Sequence, residues 1–350
     1  MTIGGTSGIL NNSEIGRFTT SNRIRIGTAT TGPTSDGMVG SSISATSITV
    51  SEALTIGNSD STFVFDSSGT TTLSANTSSS GHIRFDDAVN LNAAVTVSGR
   101  TIWFSSTVDG GHALVLNADL DLVFLGAVGG TTPLSSLSAT GGPTSHSFSH
   151  ISLHGNVSTN NGNVTFTGAV ILNGDVTVSS GDGAGNISFS SWVNAGFGHS
   201  LTLDAGSGSV TVSGAMGNIK EPGSSVTKLT SLTVSGGQID LNTVATTGNI
   251  DITGTNIDLK GGTYSSDDGN IAFRGPVDLH ANVTVNSDAN SAGADGNITF
   301  TSTVNGNASG RTLSLKADTG AVELKGDVGG TTKLASFTVA EAGQVGLKIE

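Results

Sequence analysis

Two aspartates have the spacing in this chain that most directly suggests chemistry. Asp240 lies in "QIDLNT" (238–243) and Asp258 in "NIDLKG" (256–261), two segments that superimpose residue on residue. If the step from one segment to the other is one turn of a coiled chain, both carboxylates project outward from backbones about 4.8 Å apart. Carboxylates this close repel, share a proton or share a cation, for which Ca²⁺ would be suited. Because Lys260 is near enough to relieve the repulsion, we expect a structural pair and predict no catalytic residue, cofactor or metal site.

The two tryptophans are candidates for contact with a ligand. Trp103 falls between Ile102 and Phe104, and Trp192 directly precedes Val193 in "NISFSSWVNAG". Since alternate residues of a strand face opposite sides, inward-facing apolar neighbours leave both indoles facing outward. An exposed indole can stack on a sugar ring, although it can equally cover the shoulder of a turn. We therefore keep both residues as candidate glycan contacts.

Other clusters of potential ligands do not have the geometry of a metal site. His146, His150 and His154 are four residues apart, which in a strand corresponds to roughly 13 Å between successive side chains. The loops 180–186, 266–270 and 293–297 contain Asp, Asn or both beside Gly, but their spacing matches neither calcium-binding β-rolls nor an EF-hand. Asp and Asn beside Gly are ordinary turn residues, so we expect turns at these loops.

Short strands with alternating apolar residues form the framework. "NITFTSTV" and "NIDITG" are typical, and helical periodicity is absent. Equivalent strands recur at a spacing of roughly 18–22 residues, a rhythm that predicts an all-β parallel β-helix, a solenoid with turns rich in Gly, Asn, Asp and Ser. An antiparallel sandwich is the main alternative, but hairpin dipeptides such as Asn-Gly are scarce between the strands.

A sequence module that is longer than one turn of the coil is also repeated. It is shared by the segments 81–97, 162–178 and 269–285. We therefore divide one continuous β-helix into four parts, which are divergent N-terminal rungs (1–80), repeat unit 1 (81–161), repeat unit 2 (162–268) and a truncated repeat unit 3 (269–350). The truncation suggests that the chain is a piece of a longer protein.

Composition limits the classes of partner. The net charge is −13, from 14 basic and 27 acidic residues, and no basic stripe is visible, which argues against nucleic acid. No apolar run approaches the roughly 18 residues needed to span a bilayer, so we expect no membrane insertion. The opening "MTIGGTSGIL" has no signal-peptide pattern, and the chain has no cysteine.

The segments "GGTTPLSSLSA" (129–139), "GGTTKLASFTV" (329–339) and "GNITFTSTVNG" (296–306) carry a family resemblance. They resemble repeats of filamentous-haemagglutinin-like adhesins, which are large bacterial surface proteins, and residues 7–32 look like a recurrent segment of the same proteins. The resemblance implies a right-handed parallel β-helix, export by a two-partner or related route, and an extracellular or cell-surface location. It also implies a role in attachment or in building a surface fibre.

These observations predict a noncatalytic structural or adhesive segment that acts as a stiff β-helical rod. Its expected partners are glycans, or the surface of a host or neighbouring cell, and uncapped solenoid ends would permit self-association. Two alternatives remain open. One is a carbohydrate-active β-helix enzyme, a polysaccharide lyase or hydrolase, and the other is a subunit of a head-to-tail filament.

Overall fold

The structure, a computed structural model, consists of β-strands, turns and bends. It describes residues 46–57, 62–142, 149–217, 228–290 and 296–347, and the backbone of the strands at 2–3 and 23–27. The chain separates into two compact units, Met1–Ala169 and Val170–Glu350. Parallel sheets stack as a β-solenoid of about 12 turns, and the described residues contain no helix. The predicted parallel solenoid is confirmed.

The strands are short and numerous in both units. The strands of the first unit are β1 (Thr2–Ile3), β2 (Arg23–Gly27), β3 (Ile48–Val50), β4 (Leu54–Ile56), β5 (Thr62–Asp66), β6 (Thr70–Leu73), β7 (Thr77–Ser79), β8 (His82–Phe85), β9 (Ala88–Leu91), β10 (Val95–Gly99), β11 (Ile102–Phe104), β12 (Val108–Asp109), β13 (Ala113–Ala118), β14 (Leu122–Phe124), β15 (Ser136–Thr140), β16 (Ile151–Leu153), β17 (Val157–Ser158) and β18 (Val164–Thr167). The strands of the second unit are β19 (Val170–Leu172), β20 (Val176–Ser179), β21 (Ile187–Phe189), β22 (Val193–Ala195), β23 (Leu201–Asp204), β24 (Val210–Val212), β25 (Leu232–Leu241), β26 (Val244–Thr246), β27 (Ile250–Leu259), β28 (Thr263–Ser266), β29 (Ile271–Arg274), β30 (Val277–Leu279), β31 (Val283–Asn286), β32 (Ile298–Phe300), β33 (Val304–Gly306), β34 (Thr312–Lys316), β35 (Ala321–Leu324), β36 (Ser336–Glu341) and β37 (Gln344–Leu347).

Strand register shows how the chain coils. β25 pairs with β27 in parallel, with Ile239 beside Ile257, as the superimposed segments predicted. Other turns are longer, since Leu201 pairs with Leu232. The sequence predicted turns of nearly uniform length, whereas the observed turns differ in length. Residues added between strands lengthen a turn without disturbing the strand register. Parallel pairing of the described strands excludes the antiparallel sandwich.

Stacked apolar side chains fill the interior of the first unit. Phe65, Phe85, Phe104 and Phe124 lie one above the other with ring centroids 4.7, 4.9 and 5.4 Å apart and nearly parallel planes. All four rings are buried. Strand spacing in a parallel sheet imposes this separation, so identical side chains in register form a continuous stack.

The interior of the second unit is mostly aliphatic. Val234, Ile252 and Phe273 are in register on β25, β27 and β29, and all three are buried. Phe273 in turn stacks on Phe300 at 4.7 Å. Alternate residues of these strands face outward, which places any polar chemistry of the unit on its outer surface.

Asparagine side chains tie successive turns together at one corner of the second unit. The Asn249 side-chain oxygen accepts a hydrogen bond from the backbone N–H of Asn270, at 2.9 Å. Asn270 accepts in the same way from Asn297, and Asn297 from Ala321, at 2.8 and 2.7 Å. These "GN" positions were read from the sequence as simple turn residues, but each satisfies a backbone donor of the next turn.

The repeated "GGTT" segment is a second corner of this type. The backbone N–H groups of Thr131 and Thr132 both donate to the Asp109 carboxylate, at 2.8 and 3.1 Å. Gly129 adopts a φ of 69°, and a Cβ there would lie 2.1 Å from a backbone oxygen of the neighbouring turn. The first glycine of the motif is therefore required by backbone conformation and close approach.

Candidate functional site

The outer face of the second unit carries a column of aspartates. Register places Asp240 beside Asp258 and Asp258 beside Asp278 on three successive turns. The stacking of Asp240 over Asp258 predicted from the sequence is confirmed. Asp278 was missed, although "VDL" at 277–279 repeats the pattern of "IDL" at 257–259, a signal that could have revealed it. We call Asp240, Asp258 and Asp278 the aspartate column.

Two basic side chains from the same face contact the column. Lys260 Nζ lies 2.7 Å from Asp258 Oδ2 and 3.7 Å from Asp240 Oδ1. His280 Nε2 lies 3.0 Å from the same Oδ2 of Asp258. Lys260 thus bridges two stacked carboxylates, as the sequence suggested, and it relieves the repulsion that stacking creates. The contribution of His280 was not anticipated, because it enters from the next turn.

An amide pair holds the other side of the column. The Gln238 side-chain amide donates to Asp240 Oδ1 at 2.8 Å, and the Asn256 amide donates to Asp258 Oδ1 at 2.9 Å. Asn256 also donates to the Gln238 side-chain oxygen at 2.9 Å. The two amides are themselves in register, so a hydrogen-bonded row runs alongside the carboxylates.

Asp258 is a well-enclosed carboxylate that is ionised at neutral pH. Its residue is only 9% exposed. Burial raises its pKa, but the hydrogen bond and charge of Lys260, with help from His280 and Asn256, outweigh that effect and leave the pKa below its ordinary value. A carboxylate in this state does not donate a proton at neutral pH, and its oxygens are already occupied by neighbours.

His280 is oriented from its second nitrogen. The Asn307 side-chain amide donates to His280 Nδ1 at 3.1 Å. With Nδ1 accepting, a neutral ring carries its proton on Nε2, which faces Asp258. The imidazole is therefore positioned to support the carboxylate.

The two candidate tryptophans occupy different settings, and both are half-buried. Trp103 lies outward on β11 between Arg84 and Val123, with the Arg84 guanidinium 5.8 Å from the ring centroid. Its indole nitrogen is buried and has no hydrogen-bond partner in the described part of the chain. Trp192 precedes β22, and its carbonyl accepts from the Val170 N–H at 3.0 Å. Neither indole is therefore a fully exposed platform.

The histidine series is only partly covered by the structure, since His146 lies outside the described residues. His150 Nδ1 lies 3.9 Å from Asp121, and His154 Nε2 lies 3.4 Å from Ser152 Oγ. Of the loops considered for calcium, 293–297 is described only in part. In the described ranges, no three His, Cys, Asp or Glu side chains converge as a metal-binding group.

A buried carboxylate in the first unit was also missed by sequence reasoning. Asp87 is 8% exposed and accepts hydrogen bonds from the backbone N–H and hydroxyl of Ser67 and from the hydroxyl of Thr71. Burial raises its pKa above the ordinary value despite these bonds. Its donors come from the preceding turn, so these hydrogen bonds connect two successive turns at a corner of the solenoid.

Known proteins do not identify the chain: no family model, curated protein or solved structure matches it. Among the described residues, no helix has the length and apolarity needed to cross a membrane. The function must therefore be argued from the geometry of the solenoid and of its outer face.

Proposed function

We propose that the chain is a noncatalytic structural segment of a secreted bacterial surface fibre, a stiff β-helical rod that supports or presents adhesive surfaces. Its interior is a regular ladder of apolar side chains, which suits mechanical rigidity. The resemblance of its "GGTT" and "GNITF" segments to haemagglutinin-like adhesins supports the extracellular location and the attachment role.

One observation carries the noncatalytic part of the proposal. Asp258, the most enclosed carboxylate of the aspartate column, has both oxygens engaged by Lys260, His280 and Asn256. Acid–base catalysis requires a carboxyl group that can exchange a proton with a substrate within hydrogen-bond reach. The contacts that engage these oxygens instead link adjacent turns, which is a structural role.

A carbohydrate-active enzyme is the second candidate, and the composition of the column favours it. Three aspartates, a lysine and a histidine share one outer face, and paired carboxylates are the usual equipment of glycoside hydrolases. In that alternative Asp278 would be the catalytic carboxylate, with His280 beside it, because both oxygens of Asp258 are already engaged by neighbouring side chains.

A turnover assay separates the two candidates. The full chain is incubated with polygalacturonate, alginate and cellulose oligomers, and new reducing ends and unsaturated products are measured. We expect no turnover by the wild-type chain or by Asp278→Asn. Turnover that Asp278→Asn abolishes would establish the enzyme and overturn the structural proposal.

Adhesion is tested separately, with beads coated with the full chain and retained under flow on cell layers. The control is Ile257→Asp, which places a charge in the apolar ladder and destroys the fold. We expect the wild-type beads to be retained and the control beads to be washed away. Equal retention of the two would show that the fold has no part in attachment.

Self-association is a third proposal, suggested by the parallel solenoid fold. Exposed edges of parallel sheets accept further strands, which would let copies of a solenoid stack head to tail. Sedimentation velocity across protein concentrations should show growing assemblies, and a strict monomer would exclude the filament.

A further inference from the structure

Phe197 is the most exposed large apolar side chain in the described part of the chain. It lies in the loop between β22 and β23 and is 89% exposed, compared with 49% for Val345, which ranks second. Phenylalanine is normally among the more buried residue types. An aromatic ring held almost wholly in solvent gains nothing from folding.

The loop that carries Phe197 is fixed from both sides. The Gly196 N–H donates to the Leu172 carbonyl of the preceding turn at 2.7 Å. From the following turn, Thr230 donates its hydroxyl to the Gly198 carbonyl at 2.6 Å and its N–H to the His199 carbonyl at 2.9 Å. Clamping between two turns holds the backbone of the loop in place, which lowers the entropy cost of binding a ligand there.

The corner does not need Phe197 in order to close. In the preceding turn the corresponding corner, between β19 and β20, reads "NGD" (173–175), whereas the corner between β22 and β23 reads "GFGHS" (196–200) and is two residues longer. The corner between β26 and β27, "TGN" (247–249), is three residues long and contains no aromatic residue. Gly198 has a φ of 74°, a conformation that suits glycine and completes the turn after the inserted ring.

The surroundings of the ring are polar. The Ser200 N–H donates to the Asp175 carboxylate at 2.9 Å, which places that carboxylate at the base of the loop. The Asp175 side chain is 78% exposed, and the imidazole of His199 lies 3.6 Å from it. The loop thus combines one exposed apolar ring with hydrogen-bonding groups at its base.

We propose that Phe197 is a binding site for a neutral pyranose glycan, an inference that rests on the adhesive function proposed above and names its ligand class. A pyranose with equatorial substituents has a flat C–H face that stacks on an aromatic ring, while its hydroxyls require polar partners. Phe197 supplies the ring, and Asp175 supplies an acceptor for a hydroxyl. Neutral sugars are favoured because the chain carries a net charge of −13.

Other occupants fit the loop less well. A protein interface, including one with a second copy of this chain, has a contiguous apolar centre, whereas the loop that carries the ring also carries His199 and hydrogen-bonds to Asp175. Insertion into an anionic membrane is opposed by the acidic charge of the chain. A single ring beside polar groups matches the mixed face of a sugar.

The test measures binding of cellohexaose and chitohexaose to the full chain by titration calorimetry. Phe197→Leu keeps apolar volume but removes the flat face, and Phe197→Ser removes both. We expect each to weaken binding of the preferred hexaose by about tenfold or more, while Phe197→Trp retains it. Hexagalacturonate, which is anionic, should bind more weakly than the neutral hexaoses.

Two controls accompany these variants. Leu125→Ser alters another exposed apolar side chain, 39% exposed and located in the first unit, and should leave binding unchanged. Thermal unfolding of Phe197→Ser should match the wild type, because the ring is not buried. Lost binding together with an unchanged melting curve therefore reports on the surface alone.

Several results would overturn the glycan site. They are absence of binding to both neutral hexaoses, binding that is the same in Phe197→Ser, a dimer that disappears in Phe197→Ser, or phosphatidylcholine vesicle binding that disappears in that variant. Each leaves the turnover assay and the bead assay unaffected, so failure of this site can be distinguished from failure of the proposed function.

Discussion

Asp87 in the first unit and Asp258 in the second are equally enclosed yet electrostatically opposite. They are 8% and 9% exposed, and burial is the largest influence on the pKa of both. Around Asp87 the hydrogen-bond donors are neutral hydroxyl and backbone groups, and the pKa stays above its ordinary value. Around Asp258 the cation of Lys260 reverses the direction.

The difference shows that the charge of the neighbouring groups sets the state of a carboxylate, since Lys260, which lowers the pKa of Asp258, comes from the same turn as that carboxylate. Ser67 and Thr71 reach Asp87 from the turn before, while His280 reaches Asp258 from the turn after. Enclosure alone does not determine the direction of the shift, because neutral donors offset the loss of hydration less well than a cation does.

The largest effect in this comparison is expected for Asp87→Ala. The substitution leaves the Ser67 N–H and two hydroxyls buried without an acceptor, so the free energy of unfolding should fall by about 2–4 kcal/mol. Asp87→Asn retains an acceptor oxygen and should lose about 1 kcal/mol. Urea unfolding measures both. If Asp87→Ala were as stable as the wild type, the desolvation cost of the carboxylate would equal the value of its hydrogen bonds.

A smaller loss is expected for Asp258→Asn. It removes the ion pair with Lys260 and weakens the contact with His280 but leaves Lys260 beside Asp240, so we expect a loss of about 1–2 kcal/mol. A double-mutant cycle with Lys260→Met isolates the pair, and its coupling energy should be favourable by about 0.5–1.5 kcal/mol. A coupling energy of zero would mean that Lys260 offsets the charge of Asp258 without stabilising the fold.

The two aspartates should respond to pH in opposite directions. For Asp258 the folded pKa is lowered, so its contribution to stability is present above the ordinary pKa of 3.8 and is lost as the pH falls through the folded value. For Asp87 the folded pKa is raised, so stability is gained as the pH falls from above that pKa towards 3.8. Carboxyl ¹³C NMR titration should place Asp87 above 3.8 and Asp258 below it. If both pKa values lay on the same side of 3.8, the electrostatic contrast between the two carboxylates would be wrong.

The smallest effect is expected for Asp278→Asn. This residue continues the aspartate column but is half-buried, without the enclosure of Asp258. Removing one negative charge from stacked carboxylates should change the free energy of unfolding by no more than about 0.5 kcal/mol, in the stabilising direction. Urea unfolding at low and high salt checks it, and a large loss would show that Asp278 has an essential partner.

Much of the fold was accessible from the sequence because it depends on periodicity. Ile102, Phe104 and Val193, the neighbours of the tryptophans that were expected to face inward, are buried. Asp240 pairs with Asp258 as the superimposed segments required. Period-two alternation and a repeated segment are properties of the chain itself, so strands and register could be read directly.

The rest depends on contacts that no local pattern records. The turn lengths were underestimated because inserted residues lie between strands and leave the alternation intact. His280 reaches Asp258, and Ser67 reaches Asp87, from a different turn, so neither partner is identifiable without the register of those turns. Phe197 was passed over because an inserted ring interrupts the repeat on which the interpretation relied.

At the corners, only an acceptor oxygen is used. Asn249 and Asn305 receive backbone N–H groups of the next turn, and Asp109 and Asp175 receive them in the same way. Either residue type serves, so exchange between the amide and the acid leaves the architecture intact. The net charge of such a protein can therefore change at its corners without a change in its coil, which leaves the charge free to suit solubility and association.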